Sequence, residues 1–264
     1  MLIGIIQISA TSDYKYNFDK VCGYVIKMTD CELIVLPEVF LYRGDNRKIK
    51  EVYNFYRKKV YPYLLDFSKK NNLCLIAGTL LIPFYRKFKN TAEVLYKGDK
   101  IANYTKIHLF KIDSGEKKIN EGEYLSSGKR PVVFKFNDWL IGLGICFDLR
   151  FPELFRYYAK KRVDIIVIPS NFLYKTGKKH WTVLLRARAI ENQCFVIAAN
   201  QCGIHPYLKI PAYGHSMVIG PDGEIVDEIR NREGIIKVDI SKKQIIESRT
   251  QLCSLPRGLS RNSG

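Results

Sequence analysis

One cysteine stands where a protein would present a nucleophile. The run 140–153, LIGLGICFDLRFPE, is an apolar, glycine-spaced strand that stops at Cys146. A polar turn with Asp148 and Arg150 follows, and Pro152 then opens a helical stretch, since proline suits the first helical turn. A thiol between a buried strand and a helix start has the positive end of the helix beside it, which favours the thiolate. The competing local reading is a small core hydrophobe, and it fits Cys74 and Cys194, which lie in or beside apolar strands.

A thiol that attacks carbon needs a proton carrier and a group to stabilise the oxyanion. Glu38 follows Leu33, Ile34, Val35, Leu36 and Pro37, at the carboxyl end of a strand, where open α/β sheets place their sites. Lys106 follows the strand Ile101 to Tyr104 and precedes Ile107, His108, Leu109 and Phe110, flanks that favour burial. Taken singly, Glu38 is also an ordinary loop glutamate, and Lys106 is one of 43 basic residues. The four histidines (108, 180, 205 and 215) keep a Cys/His pair open.

The elements that must hold these residues alternate along the chain. Apolar runs at 2–9, 33–36, 73–77, 139–145, 165–168 and 195–199 predict buried strands. Amphipathic helices are expected at 17–28, 52–70, 152–161 and 180–192, and a last helix at 241–248 capped by Ser241. More polar strands fit 92–96, 101–104, 132–136, 216–219, 224–228 and 235–238, with a hairpin turn at Pro221, Asp222 and Gly223. This order predicts one α/β domain over residues 1–250 with helices on the sheet faces. Residues 251–264 read as a polar tail that is mobile or sits at a subunit interface.

Composition narrows the function classes. Seven cysteines at irregular spacing, without a C-x-x-C pair, argue against a disulfide framework or zinc site and point to a reducing, cytoplasmic setting. No apolar run reaches the length of a membrane span, and the opening MLIGIIQISA reads as a first buried strand. The net charge of +17 is scattered, with no recognition motif interleaving it with aromatics, so it reads as a solvated surface rather than a nucleic-acid or membrane footprint. A non-catalytic basic binding protein is the remaining non-enzyme alternative.

The segments LPEVF, YTKIHLF and GLGICFDLRFPEL resemble, in order and spacing, those of the nitrilase superfamily of carbon–nitrogen hydrolases. The opening GIIQ, the run IAGT, the block TGKKHWTVLLRARAIENQCFVIAANQCG and YGHSMVIGPDGEIV extend the resemblance over residues 1 to about 250. It implies an αββα sandwich and a Glu-Lys-Cys triad. Glu38 then matches the general base, Lys106 the oxyanion-stabilising lysine and Cys146 the nucleophile. Glu121 matches a supporting glutamate, with Glu123 as the close alternative. The backbone N–H of Phe147 is a further oxyanion donor. Neither metal nor organic cofactor is implied, and a homodimer or larger homo-oligomer is.

The later blocks look most like the omega-amidase and deaminated-glutathione amidase branch, which implies a small amide bearing a carboxylate. A nitrile or an N-carbamoyl compound, cleaved by the same triad, is the alternative substrate. Arg150, or a lysine within 175–179, is the candidate partner for the carboxylate; the competing reading of Arg150 is a brace of its own turn. Tyr42 could line the pocket. His180 and Trp181, read as opening a helix, could shape the pocket or simply pack, and His215 reads as a tie between strands.

Overall fold

The computed structural model describes residues 1–113, 118–252 and 255. The first half runs β1 (Leu2–Gln7), α1 (Tyr14–Val25), β2 (Leu33–Val35), α2 (Ile49–Phe55), α3 (Tyr61–Lys70) and β3 (Cys74–Ile76). It continues through β4 (Leu80–Phe84), β5 (Lys87–Tyr96), β6 (Asp99–Thr105) and a short hairpin of β7 (Lys111–Asp113) and β8 (Lys118–Asn120). The second half begins with β9 (Val133–Phe136), β10 (Trp139–Leu143), α4 (Pro152–Lys160), β11 (Ile165–Val167) and α5 (Tyr174–Asn192). It ends with β12 (Phe195–Ala198), β13 (Ser216–Ile219), β14 (Ile225–Ile229), β15 (Gly234–Asp239) and α6 (Lys242–Gln251).

Two sheets result. One has the order β15-β1-β2-β3-β5-β4, with β6 also on β5; the other is β14-β13-β12-β11-β10-β9. Each has three parallel strands at its centre, β1 to β3 and β10 to β12. These strands are apolar apart from Gln7 at the end of β1 because both of their faces are covered. Ile3, Ile5, Leu33, Val35, Cys74 and Ile76 share one core with Ile141 and Leu143 of the other sheet. Their neighbours Ile6, Ile34 and Leu75 point the opposite way, onto Val21 and Val25 of α1 and Leu64 and Phe67 of α3. Leu154, Phe155 and Tyr158 of α4 and Trp181, Leu185 and Ala189 of α5 are buried on the second sheet. The layers are helix, sheet, sheet, helix: the αββα sandwich.

Several elements differ from the pattern expected above, among them the β7–β8 hairpin, which was not expected, and β5, which begins at Lys87. α5 begins at Tyr174, not His180, because Gly177 does not break it: a Cβ there would stand 2.5 Å from the Tyr213 ring, so the glycine permits close packing inside the helix. The stretch expected as one helix over 52–70 starts at Ile49 and passes through a π-helical turn, Tyr56–Val60, where the buried Tyr56 hydroxyl donates to Glu93 at 2.5 Å. β4 escapes the apolar pattern because Pro83 interrupts it, and it is tolerated because β4 is an edge strand. Ser241 does cap the last helix, accepting from the Lys243 N–H. That helix runs on to Gln251; of the expected tail, only Gln251, Leu252 and Leu255 lie within the described residues. Among the described residues, no helix is long and apolar enough to cross a membrane.

The loop at Gly128 fixes the end of β6. The Gly128 N–H donates to the Lys106 carbonyl at 2.7 Å, and a Cβ at position 128 would stand 2.1 Å from the Thr105 carbonyl oxygen. Gly128→Ala is therefore expected to push Thr105 and Lys106 aside, costing about 1–3 kcal/mol of stability as overpacking does. Thermal denaturation followed by circular dichroism checks this; an unchanged Tm would mean that the loop moves freely away from β6.

Candidate active site

Four strand ends converge on one place. β2 delivers Glu38, β10 delivers Cys146 and β11 delivers Asn171. β6 is antiparallel to β5, which is antiparallel to β3, so β6 runs the same way as the central strands and delivers Lys106 to the same rim. Sites in open α/β sheets form at the carboxyl ends of strands for this reason.

Lys106 is the centre of the constellation. Its ammonium lies 3.0 Å from Glu38 Oε1 and 3.1 and 3.0 Å from the two oxygens of Glu121. Glu121 also accepts the Phe110 N–H at 2.7 Å, which pins it to the loop after Lys106. Asn90, next to Lys106 across the β5–β6 pair, donates to Glu38 Oε1 at 2.7 Å. Both donors to Glu38 thus engage Oε1, and Oε2 has no protein hydrogen bond among the described residues. Glu123 is exposed; Glu121 is the glutamate that touches the lysine.

Burial and charge set the protonation states. Burial works against the Lys106 charge, yet Glu121, Glu38 and Cys146 together hold its pKa well above the ordinary lysine value. Burial raises the Glu121 pKa against the pull of Lys106. The Cys146 thiol is pushed well above its ordinary value by burial and then by the Glu38 charge, while Lys106 and a backbone hydrogen bond from Asn171 act the other way. The sequence reading of a helix end that favours the thiolate is outweighed here: burial and the Glu38 charge favour the protonated thiol. Cys146 opens a short 3-10 turn, 146–150, and α4 starts only at Pro152, so the longer helix does not end on the sulfur.

Asp148 ties the nucleophile turn to the lysine strand. It is fully buried and accepts four hydrogen bonds: from the Ile145 N–H at 2.9 Å, the Tyr104 hydroxyl at 2.8 Å, the His108 N–H at 2.8 Å and His108 Nδ1 at 2.7 Å. Tyr104 and His108 flank Lys106, and Ile145 precedes Cys146. One carboxylate so sets the spacing of ammonium and thiol. The backbone is strained at the thiol and beside Glu38, with φ of +47° at Cys146 and +48° at Val39 after Glu38. Non-glycine residues adopt such values where the surrounding structure enforces them, often at functional sites.

A cavity of about 140 Å³ opens over these groups. Glu38, Lys106, Glu121 and Cys146 line it, as do Tyr42, Phe147 and Arg150. His180 does not. It lies in the second turn of α5 and meets Arg150 Nη1 at 3.1 Å through Nδ1, so it braces a wall residue. Lys175, Lys178 and Lys179 are exposed and outside the cavity. Trp181 is buried and donates to the His215 carbonyl at 2.7 Å, and the His215 ring pairs with Glu228 of the neighbouring β14, tying strands as expected. Sequence reasoning missed Asn90, Asn171 and Arg43, all of which line the cavity. Asn90 carried one signal: asparagine is depleted inside strands.

A sequence profile of the carbon–nitrogen hydrolase family matches residues 2–250. The chain belongs to the carbon–nitrogen hydrolase family. It is 33% identical to the deaminated glutathione amidase of Synechocystis sp. over 231 residues, 85% of each chain. It is 31% identical to the omega-amidase NIT2 of Homo sapiens over 254 residues, 95% of this chain and 92% of that one. The crystal structure of the C. elegans NitFhit protein superposes with a TM-score of 0.89 at 30% identity, covering 95% of this chain and 63% of that one. The nitrilase-type fold expected from the motifs is thus the fold of this carbon–nitrogen hydrolase.

The electrostatics give a signed expectation. Glu38 raises the Cys146 pKa, so Glu38→Gln should lower it, even as Lys106 keeps its charge. Thiolate absorbance in the ultraviolet, followed across pH with Cys146→Ala as blank, measures the shift; an upward shift in Glu38→Gln would contradict the arrangement.

Proposed function

We propose that this carbon–nitrogen hydrolase cleaves a small, carboxylate-bearing amide to a carboxylate and ammonia through a thioester on Cys146. The observation that carries the reading is the Lys106 ammonium held between two glutamates beside a buried thiol, on the floor of a cavity whose walls carry two further cations, Arg43 and Arg150, without an ion-paired acid among the described residues. The resemblance to deaminated glutathione amidases and omega-amidases supports the same substrate class.

In this reading Cys146 Sγ attacks the amide carbon as its proton passes to Glu38, whose Oε2 is uncommitted. The C–N bond breaks, and Glu38 returns the proton to the departing ammonia. A water then attacks the thioester carbon, Glu38 takes its proton, the C–S bond breaks, and the proton returns to sulfur. The Lys106 ammonium faces the oxyanion in both steps. The Phe147 N–H, which has no main-chain acceptor among the described residues, is the second donor. A resting thiol suits this sequence, because the base acts as the attack proceeds. Glu121 keeps the lysine charged and in place.

Cys146→Ala should release no ammonia from any amide, and Glu38→Gln should lower kcat by about 10²–10⁴-fold, the usual worth of a general base. Mass spectrometry of Glu38→Gln with substrate should find the acyl adduct on Cys146; an adduct on Cys194 instead would remove the assignment. Glu121→Gln should lower kcat at least about tenfold, whereas the exposed Glu123→Gln should behave as an ordinary surface change. Equal losses in the two variants would reject Glu121. Ammonia release should be screened over dicarboxylate monoamides, neutral amides, N-carbamoyl amino acids and nitriles. Faster turnover of a nitrile or a carbamoyl compound would replace the amide reading.

A further inference from the structure

We propose that Arg43, with His205, forms the seat for the substrate's carboxylate and so sets specificity in this site; the assignment rests on the amide-hydrolase reading above. Arg43 lies five residues after Glu38 and is only 2% exposed. A guanidinium has five N–H donors. Nε donates to the Ala10 carbonyl at 2.8 Å, and Nη2 donates to Ser9 Oγ at 3.0 Å and the Cys202 carbonyl at 2.8 Å. None of those three partners lines the cavity. Nη1 reaches only Asn171 Oδ1, at 3.5 Å, and Asn171 does line it. The Nη1 edge is therefore the one turned to the cavity, with donor capacity to spare.

The charge of Arg43 has no ion-paired acid among the described residues. Glu233, whose field reaches it, is engaged by Lys20 at 2.6 Å and by the Ser9 N–H at 2.7 Å. Burial pulls the Arg43 pKa down to about 10. A buried cation in that state is costly, and an anion brought to its free edge offsets the cost.

His205, also on the cavity wall, supplies a second donor. Its Nδ1 accepts the N–H groups of Tyr207 at 3.2 Å and Leu208 at 3.1 Å, so the ring proton resides on Nε2. Nε2 has no partner among the described residues. Burial and then the Arg43 charge hold its pKa down to about 4, so the ring is neutral and the tautomer stays fixed. Arg150 is placed differently. It is half-buried, its guanidinium lies 5.7 Å from the Phe147 ring centre and 5.3 Å from that of Phe172, and it meets His180. Aromatic faces and solvent already stabilise that charge.

Asn171 sets the distance. Its backbone hydrogen-bonds the Cys146 sulfur and its side chain touches Arg43, so one residue spans thiol and seat. The substrate class is then an amide whose acyl chain ends in a carboxylate.

The test compares kcat/KM for a dicarboxylate monoamide and for a neutral amide of equal chain length. Wild type should prefer the first. Arg43→Lys and Arg43→Met should reduce that preference at least about tenfold, mainly through KM, as loss of a charged hydrogen bond does. His205→Asn keeps an acceptor for the two loop N–H groups but removes the Nε2 donor, and should reduce the preference about two- to tenfold. A preference unchanged in the Arg43 variants would make Arg43 a brace of the β1 and 202 loops only. If those variants fail to fold by circular dichroism, His205→Asn decides, and an unchanged preference there overturns the proposal. A larger loss in Arg150→Gln than in Arg43→Lys would transfer the seat to Arg150. Turnover of both amides without preference by wild type would remove the seat while leaving amide hydrolysis standing, whereas no turnover of any amide would remove the reading beneath it.

Discussion

A buried ammonium is the constraint around which the site is built. Lys106 is 1% exposed, and an isolated ammonium at that depth would lose several kcal/mol of hydration. Two glutamates within 3.1 Å compensate it, and neither comes from its own strand. Glu38 comes from the end of β2 and Glu121 from the turn after β8. Removing either side would leave a buried charge unpaired, so the lysine and its partners hold each other in place. The same positive charge acts on the Cys146 thiol, so the fold's electrostatic necessity is also the feature on which the proposed chemistry draws.

Asp148 extends that logic below the site. Its four hydrogen bonds join the Cys146 turn to the strand end that carries Lys106, and the carboxylate itself is fully buried. Strain at Cys146 and Val39 is sustained by such over-determined surroundings. Asn90 plays the corresponding part for Glu38, holding one oxygen and leaving the other free. Rigid pairs of this kind place reacting atoms without reorganisation during the reaction.

The layered fold was legible in the chain because its central strands are continuous apolar runs and its helices are amphipathic. Cys146, Glu38 and Lys106 were visible as residues at strand ends, and the family motifs joined them. The rest was less visible for physical reasons. β4 hid behind an edge proline, and α5 behind a glycine that serves packing. His180 looked like a pocket residue because the helix start was placed too late; the extra turns carry it behind Arg150. Arg43 was one arginine in a basic chain until the fold buried it without an ion-paired acid among the described residues.

The amino-acid sequence by itself determined the central strands of both sheets, which strand ends carry a carboxylate, an ammonium and a thiol, and the carbon–nitrogen hydrolase family. These depend on local pattern and residue order. Tertiary structure alone decided that Glu121 and not Glu123 meets the lysine, that burial and Glu38 push the Cys146 thiol up, and that Arg43 lines the cavity. Those outcomes depend on burial and on distances between segments far apart in the chain, and a charge or pKa takes its value from what surrounds it in space.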